Sequence, residues 1–458
     1  MAELRLRQLA PAQVAVLRVA SEAGGARDAV LVGGAVRDAV LRRGSADVDI
    51  AVPSGAIALA QRSAERLGAT CVVLDAERGA ARVVAGAGVT LDVTDFRAPT
   101  LAGDLVARDF TVNALAVALG PLVTRGRAPI VDPTAGLADL KARRLRPAGP
   151  AVLDEDPLRT LRAVRLEATL ALRLTPAATR QVRAAARGLE RIAAERVRDE
   201  VLALLALADT ARALRRADAL GLLGVVLPEV EPMRTTAQPL PHRFDVLEHS
   251  LRAVGGCDRL LGRLDALAPY GEELAAHVAE PLGGGTRRGA ALKLAALLHD
   301  VIGARRAREI GERLRLPERV TAVVERVVRH HLRPMHLAHA GSVTPRARYR
   351  FYRDLREDTR DLLLLVLADA AAVTGASPLT TWRRAHLVRE LFAGWREQRQ
   401  AERRPALLRG EDVMARFSLE PGPRVGWLLS QAREAQDLGR VRSREEALAF
   451  LDSLDPGP

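Results

Sequence analysis

Leu31-Val-Gly-Gly-Ala-Val-Arg-Asp38, with Asp47-Val-Asp49 shortly after it, decides the fold of this 458-residue chain. An apolar run from Ala29 to Val32 ends in a glycine pair, and helical spacing opens at Ala35. A second apolar strand then carries two aspartates one residue apart. Side chains alternate along a strand, so Asp47 and Asp49 share a face. Two carboxylates on one face suit an oxygen-loving divalent cation such as Mg²⁺. A glycine turn opening a helix suits a phosphate. Gly33, Gly34 and Arg37 are therefore the expected phosphate contacts and Asp47 and Asp49 the expected metal ligands, with Asp38 orienting the turn or an arginine. No G-x-x-x-x-G-K-[ST] loop occurs, so the pattern is not a P-loop. It points instead to metal-assisted chemistry on a nucleoside triphosphate.

The order strand, Gly-Gly, helix, Asp-x-Asp resembles the nucleotidyltransferase signature of the polymerase-beta superfamily. Arg108-Asp-Phe-Thr-Val-Asn-Ala114 narrows the resemblance to class II tRNA nucleotidyltransferases and bacterial poly(A) polymerases. Asp132-Pro-Thr-Ala-Gly136 with Asp139-Leu140 is similar to their next motif. Glu155-Asp-Pro-Leu-Arg159-Thr-Leu-Arg162 is similar to their E-D-x-x-R-x-x-R, and Glu195-Arg196 with Glu200 loosely matches the last. All stand in family order, over residues 28–205.

The resemblance implies an α+β fold. A polymerase-beta-like head, a mixed sheet with flanking helices, would span 1–146. A helical neck (147–206), a helical HD-like body (207–400) and a helical tail (401–458) would follow. It also implies the chemistry: transfer of C or A from CTP or ATP to the 3′ end of tRNA, with two metals and release of pyrophosphate. Asp92, in the strand Val89-Thr-Leu-Asp-Val-Thr94, is placed as the third carboxylate. Its other reading is an exposed residue on a half-buried strand. Arg108 is the second phosphate contact, and Asn113 lies near the sugar or a metal-bound water. Asp109 and Arg162 belong to the same nucleotide-binding set. Many relatives carry a second arginine where this chain has Ala107.

Base choice can be argued from hydrogen bonding. Asp156 and Arg159, three apart, are expected on one face of a helix. A carboxylate only accepts and a guanidinium only donates. Cytosine and adenine both offer an amino donor beside a ring-nitrogen acceptor, whereas guanine and uracil offer a carbonyl beside an N–H. The pair would accept C and A and refuse G and U; otherwise it is an ordinary intrahelical ion pair. The short connection from Asp95-Phe-Arg97 to Arg108 resembles that of members adding only the two cytidines. The open alternatives are a poly(A) polymerase or A-adding enzyme, an HD phosphohydrolase whose head merely binds RNA, and a non-catalytic RNA-binding module.

Composition agrees with a polyanionic partner. Net charge is +13 and aromatics are only 3%, so recognition should rest on phosphates and shape rather than base stacking. Cys71 and Cys257 form no C-x-x-C pattern, so neither a disulfide framework nor a zinc site is expected. With no leader and no long uncharged apolar run, the chain reads as cytoplasmic, with no membrane partner.

Periodicity predicts a helix over 1–23, strands near 29–33, 47–52, 70–75, 80–85 and 89–95, and helices near 35–43 and 54–67. The strands 80–85 and 89–95 read as a hairpin around Gly86-Ala87-Gly88. A helical stretch is expected over 109–118, a short strand at 129–132, and helices almost throughout from 153. Pro228, Pro232, Pro239 and Pro241 mark a boundary, and 281–285 is expected as a flexible glycine loop.

The second half resembles an HD domain. His249, His299-Asp300, His330 and Asp369 are the possible metal-binding set. The usual Gly-Lys turn and a further histidine are missing after His299-Asp300. The expectation is a helical scaffold with an incomplete site.

Overall fold

Eight strands build one mixed sheet in the order β1-β8-β7-β2-β3-β6-β5-β4. They are β1 (Glu3–Arg5), β2 (Val30–Val32), β3 (Asp47–Val52), β4 (Thr70–Asp75), β5 (Ala80–Val84), β6 (Thr90–Asp95), β7 (Ala116–Ala118) and β8 (Arg127–Val131). The computed structural model describes residues 2–454 apart from 26, 45–46, 85–87, 238–242, 301–302, 340–342 and 403. Among the described residues only β3 and β6 pair in parallel within the sheet, aligning Asp47 with Thr90 and Asp49 with Asp92. β2 lies antiparallel between β3 and β7, so Val32 faces Asp49 on one side and Ala116 on the other. All three β2 residues are buried, as expected of a central strand with covered faces.

The N-terminal segment departs from the expected helix. Residues 3–5 pair with β8 and bury Leu4, and the helix begins only at Pro11 and ends at Ala20. Proline is favoured at a first helical position because its missing N–H would have no partner there. The expected helix over 109–118 is a short 3₁₀ turn (Thr111–Asn113) followed by β7. Ala114, Leu115, Ala116 and Val117 are all fully buried. A continuous apolar run of that length does not tell helix from central strand. The glycine run near 281–285 forms a small hairpin, Pro281–Gly283 with Thr286–Arg287, in which Gly283, Gly284 and Gly285 all have positive φ. β5 and β6 pair as the expected hairpin, although Gly86 and Ala87 of its turn fall outside the described residues. Pro228 and Pro232 open short 3₁₀ turns, and Pro239 and Pro241 lie outside the described residues.

Two compact units divide the chain. One contains residues 1–200 and 216–226, the other 201–215 and 227–458. The first carries the sheet and, after Val152, the helices Val152–Glu155, Arg159–Leu170 and Pro176–Ala185. The second is almost wholly helical, with its own buried core. Near its end Val413, Leu428, Ala447 and Leu451 are fully buried together. No single described helix is long and apolar enough to cross a membrane.

Candidate active site

A cavity of about 690 Å³ opens at the start of β3 in the first unit. Gly33, Gly34, Arg37, Asp47, Asp49, Arg108, Asp109, Asn113, Asp156, Arg159 and Arg162 all line it. Residues more than a hundred positions apart in sequence thus meet in one place. Nine arginines against five aspartates give the lining a strong positive balance, which concentrates a polyanion such as a triphosphate.

β3 sets the carboxylates. Thr90 Oγ1 donates to Asp47 Oδ1 at 2.6 Å from the neighbouring strand. Burial, then the charges of Asp92 and Asp47, raise the Asp49 carboxyl from 3.8 to about 6, against the lowering effect of Arg108 and Arg37. Carboxylates crowded until one holds its proton near neutrality are a donor set that fits a divalent cation. Asp92 stands beside Asp49 on the same face. However, both its oxygens accept from Arg82 Nε and NH2 at 2.7 Å, and it is not part of the cavity wall.

Gly33 enters the helix Gly34–Val40 with φ 72° and ψ −137°, a conformation open to glycine. A Cβ there would approach Asp49 Oδ2 to 3.1 Å. The Gly33 N–H donates to the Leu115 carbonyl at 3.2 Å, so that donor is engaged by the sheet rather than offered to a phosphate. Asp38 grips Arg37 through two 2.8 Å bonds, and Arg37 NH1 donates to Asn113 Oδ1 at 2.5 Å. Asn113 Nδ2 in turn donates to Asp109 Oδ1 at 3.0 Å.

Asp109 faces inward more than the nucleotide-contact expectation implies. It accepts from the Phe110 N–H at 2.7 Å and pairs with Arg162 NH1 at 3.4 Å. Burial alone would raise its carboxyl, yet Arg162, Asn113 and the Phe110 N–H hold it below the ordinary range. Arg162 and Arg165 also share Glu200, at 3.2 Å and 2.8 Å. Arg165 lies outside the motif residues, yet its spacing from Arg159 and Arg162 makes one arginine stripe along the helix Arg159–Leu170. Arg43, Arg78 and Arg97 also line the cavity without any local motif that marks them, and Arg196 joins them from the loosely matched last motif.

The base-reading pair corrects the sequence expectation. Asp156 is not on the helix of Arg159. It ends Val152–Glu155 with φ −140° and ψ 87°, and Arg159 opens the next helix. Pro157 explains the break, because the residue before a proline is driven from helical geometry. Arg159 Nε lies 3.8 Å from Asp156 Oδ2, while Arg196 NH2 lies 2.8 Å from the same oxygen. Asp156 Oδ1 is buried and accepts no hydrogen bond from a described residue. Pro157 in turn packs on Gly188, where a Cβ would come within 2.5 Å of the proline ring.

In the second unit the HD residues come together more fully than expected. His249 Nε2 lies 2.8 Å from Asp369 Oδ1 and 3.4 Å from Asp300 Oδ2. His299 Nε2 lies 3.5 Å from Asp300 and 3.6 Å from Asp369. His249, His299 and Asp300 can each turn one ligand atom to a common point. Burial depresses the His299 imidazole, but Asp369 and Asp300 outweigh it and lift it to about 9. The expected His330 is not in this cluster. It ends the helix Glu318–His330 and lines a separate cavity with Asp354, while His331, one residue on, reaches 3.9 Å from Asp300. Three distant helices and their ends supply the set, which no local spacing reveals.

Comparison with known proteins agrees with this architecture. Residues 29–146 match the family model of the poly A polymerase head domain, and 172–234 match that of a probable RNA- and SrmB-binding site of polymerase A. An A-adding tRNA nucleotidyltransferase of Deinococcus radiodurans is 38% identical over 441 residues, covering 92% of this chain and 94% of the relative. A CC-adding tRNA nucleotidyltransferase of Thermus thermophilus is 36% identical over 436 residues, covering 93% of each. A solved Thermotoga maritima CCA-adding enzyme complexed with tRNA superposes with a TM-score of 0.63 at 19% identity, over 99% of both chains, and so shares the fold. With the head, the helical body and relatives aligned along nearly the whole length, this chain belongs to the class II tRNA nucleotidyltransferase and bacterial poly(A) polymerase family.

Proposed function

We propose that the chain adds C or A, from CTP or ATP, to the 3′ end of tRNA and releases pyrophosphate. The carrying observation is one cavity that joins the Asp47–Asp49 face, an arginine cluster and the Asp156–Arg159 pair. Asp47 and Asp49 are the residues that would hold Mg²⁺. When bound, the ions would supply activation of the 3′-hydroxyl and charge neutralisation at the phosphates. Arg37, braced by Asp38 and Asn113, and Arg108 hold the triphosphate. The unfilled acceptor Asp156 Oδ1 takes the base amino group, and Arg159 donates to the ring nitrogen. Arg162 ties Asp109, in the segment between the helix Leu101–Val106 and β7, and Glu200 to the helix that opens at Arg159. Asp92 keeps Arg82 in place and adds negative charge beside Asp49.

Functionally we divide the chain as head 1–146, neck 147–206, body 207–400 and tail 401–458, acting in the cytoplasm. Addition of only part of the end fits best. Four relatives aligned over more than nine-tenths of this chain are named A-adding or CC-adding enzymes. A helix, Leu101–Val106, fills the short connection between β6 and Arg108. The test is incubation with tRNA ending before CCA, or lacking only the final A, with CTP and ATP supplied singly. Extension of one acceptor by one nucleotide type is expected. No extension of either acceptor would refute the reading, and extension of the first with CTP together with extension of the second with ATP would assign a full CCA enzyme.

A second reading concerns the HD cluster, favoured by the convergence of His249, His299, Asp300 and Asp369. That set can hold a divalent metal for phosphoester hydrolysis. Metal-dependent hydrolysis of a 2′,3′-cyclic phosphate that disappears in Asp300→Asn would support it; equal hydrolysis by the variant would refute it.

A further inference from the structure

Asp104 is fully buried beneath the cavity, and both its oxygens are committed to arginines. Oδ1 accepts from the Arg97 N–H at 3.0 Å and from Arg97 NH1 at 3.2 Å. Oδ2 accepts from Arg108 Nε at 3.0 Å and Arg108 NH2 at 2.9 Å. Asp104 lies in the first turn of the helix Leu101–Val106, whose start is capped by Thr100 Oγ1 accepting from the Gly103 N–H. Its carboxylate is therefore fixed by local structure, and the arginines are fixed by it.

One carboxylate cannot neutralise two guanidinium groups. Both arginines line the cavity, whereas Asp104 does not. Among the described residues Asp104 is the only acceptor within hydrogen-bond distance of either side chain. The donors that remain are turned toward the cavity. Arg108 NH1 sits 3.6 Å from where a Cβ on Gly33 would lie, beside Asp49. The Arg97 guanidinium is pushed below its ordinary value by burial and then by Arg108, an effect that Asp104 only partly offsets and to which Arg159 adds. Asp109 also draws Arg97 and Asp49 draws Arg108, yet along the cavity wall the arginines outnumber the aspartates by nine to five and repel one another.

We infer that Arg97 is a further triphosphate contact and that Asp104 is the positioning residue that aims Arg97 and Arg108 together. Guanidinium forks bind phosphate oxygens by paired charge-assisted hydrogen bonds. Two forks hinged on one buried carboxylate present such donors side by side. The contact is with phosphate and not with base, because base selection is placed on Asp156 and Arg159. This rests on the nucleotidyltransferase reading of the same cavity.

The test compares equilibrium binding of CTP and CMP to the full chain, alongside nucleotide addition to tRNA. Arg97→Ala changes a half-exposed side chain and should fold as wild type. It is expected to weaken CTP about tenfold and to leave CMP binding and the CTP-over-UTP preference unchanged. Arg97→Lys keeps the charge without the fork and should fall between. Asp104→Asn should reproduce the same triphosphate-selective loss with altered aim, raising KM for CTP and ATP alike. Equal weakening of CTP and CMP, or undiminished CTP binding by Arg97→Ala, would overturn the inference. If wild-type protein extends no tRNA, the functional reading fails instead, and the two failures are thereby distinct.

Discussion

Asp49→Asn probes the electrostatics of the carboxylate face while keeping its shape. In the folded chain the Asp49 carboxyl titrates at about 6, against an ordinary 3.8. Between those values the folded state binds more protons than the unfolded one, so stability falls as pH rises through that window. Below it the carboxyl is protonated in both states and contributes nothing. Above pH 6 the penalty is complete and constant. A difference of two units corresponds to about 3 kcal/mol. That is an upper bound, because Asp49 keeps some contact with water; about 1–3 kcal/mol is expected. In EDTA, Asp49→Asn should therefore be more stable than wild type at pH 7.5. The gain corresponds to roughly 2–4 °C in Tm per kcal/mol for a unit of this size. The advantage should shrink as pH falls from 6 toward 4, by at most about 1.4 kcal/mol per pH unit. Thermal unfolding at a series of pH values measures it directly. Addition of Mg²⁺ should raise the wild-type Tm more than that of the variant. A difference that does not change with pH, or a variant less stable at pH 7.5, would refute the reasoning.

Asp47→Ala or Asp49→Ala should abolish nucleotide addition while tRNA binding, measured by filter retention, stays nearly intact; substantial incorporation by both variants would remove the metal-ligand assignment. Asp156→Ala or Arg159→Ala should lower the ratio of kcat/KM for CTP or ATP over UTP by about tenfold, and a ratio unmoved in both would reduce the pair to a structural contact. Glu200→Gln, at 6% exposure, strips the charge that Arg162 and Arg165 share; it should cost about 1–3 kcal/mol at pH 7. Arg165 and Arg162 overcome burial to hold the Glu200 carboxyl low, so that contribution is present above its ordinary pKa and lost as pH falls through the folded value. Wild type and Glu200→Gln should accordingly converge in acid denaturation curves. With a +13 chain, tRNA affinity should fall linearly in log[salt], and a flat salt profile would exclude phosphate-led recognition.

Much of the head was legible because its signals are local. Alternation places Asp47 and Asp49 on one face, and the glycine pair marks the strand-to-helix turn. What was illegible depends on the rest of the chain. The run Ala114–Ala118 reads equally as helix or strand until β2 and β8 are seen to flank it. The spacing of Asp156 to Arg159 reads as helical, yet Pro157 breaks the helix between them. The partner of Asp92 is Arg82, across a hairpin. Asp104 carried no signal at all, because its role depends on Arg97 and Arg108 folding back over it. His330 and His331 are neighbours, and only the way their helix ends decides which one turns toward Asp300.

The break at Pro157 gives base choice an unusual dependency. Asp156 stands at a joint between two helices, and that joint rests on Gly188, where even a methyl group would collide with the proline ring. On the proposed reading, fidelity is thus governed from a position that touches no substrate. Gly188→Ala would lever the joint and re-aim the acceptor, appearing as UTP misincorporation at unchanged tRNA affinity; wild-type accuracy in that variant would show that the joint yields elsewhere. A chain can lose its accuracy in this way while every residue that meets the nucleotide remains as it was.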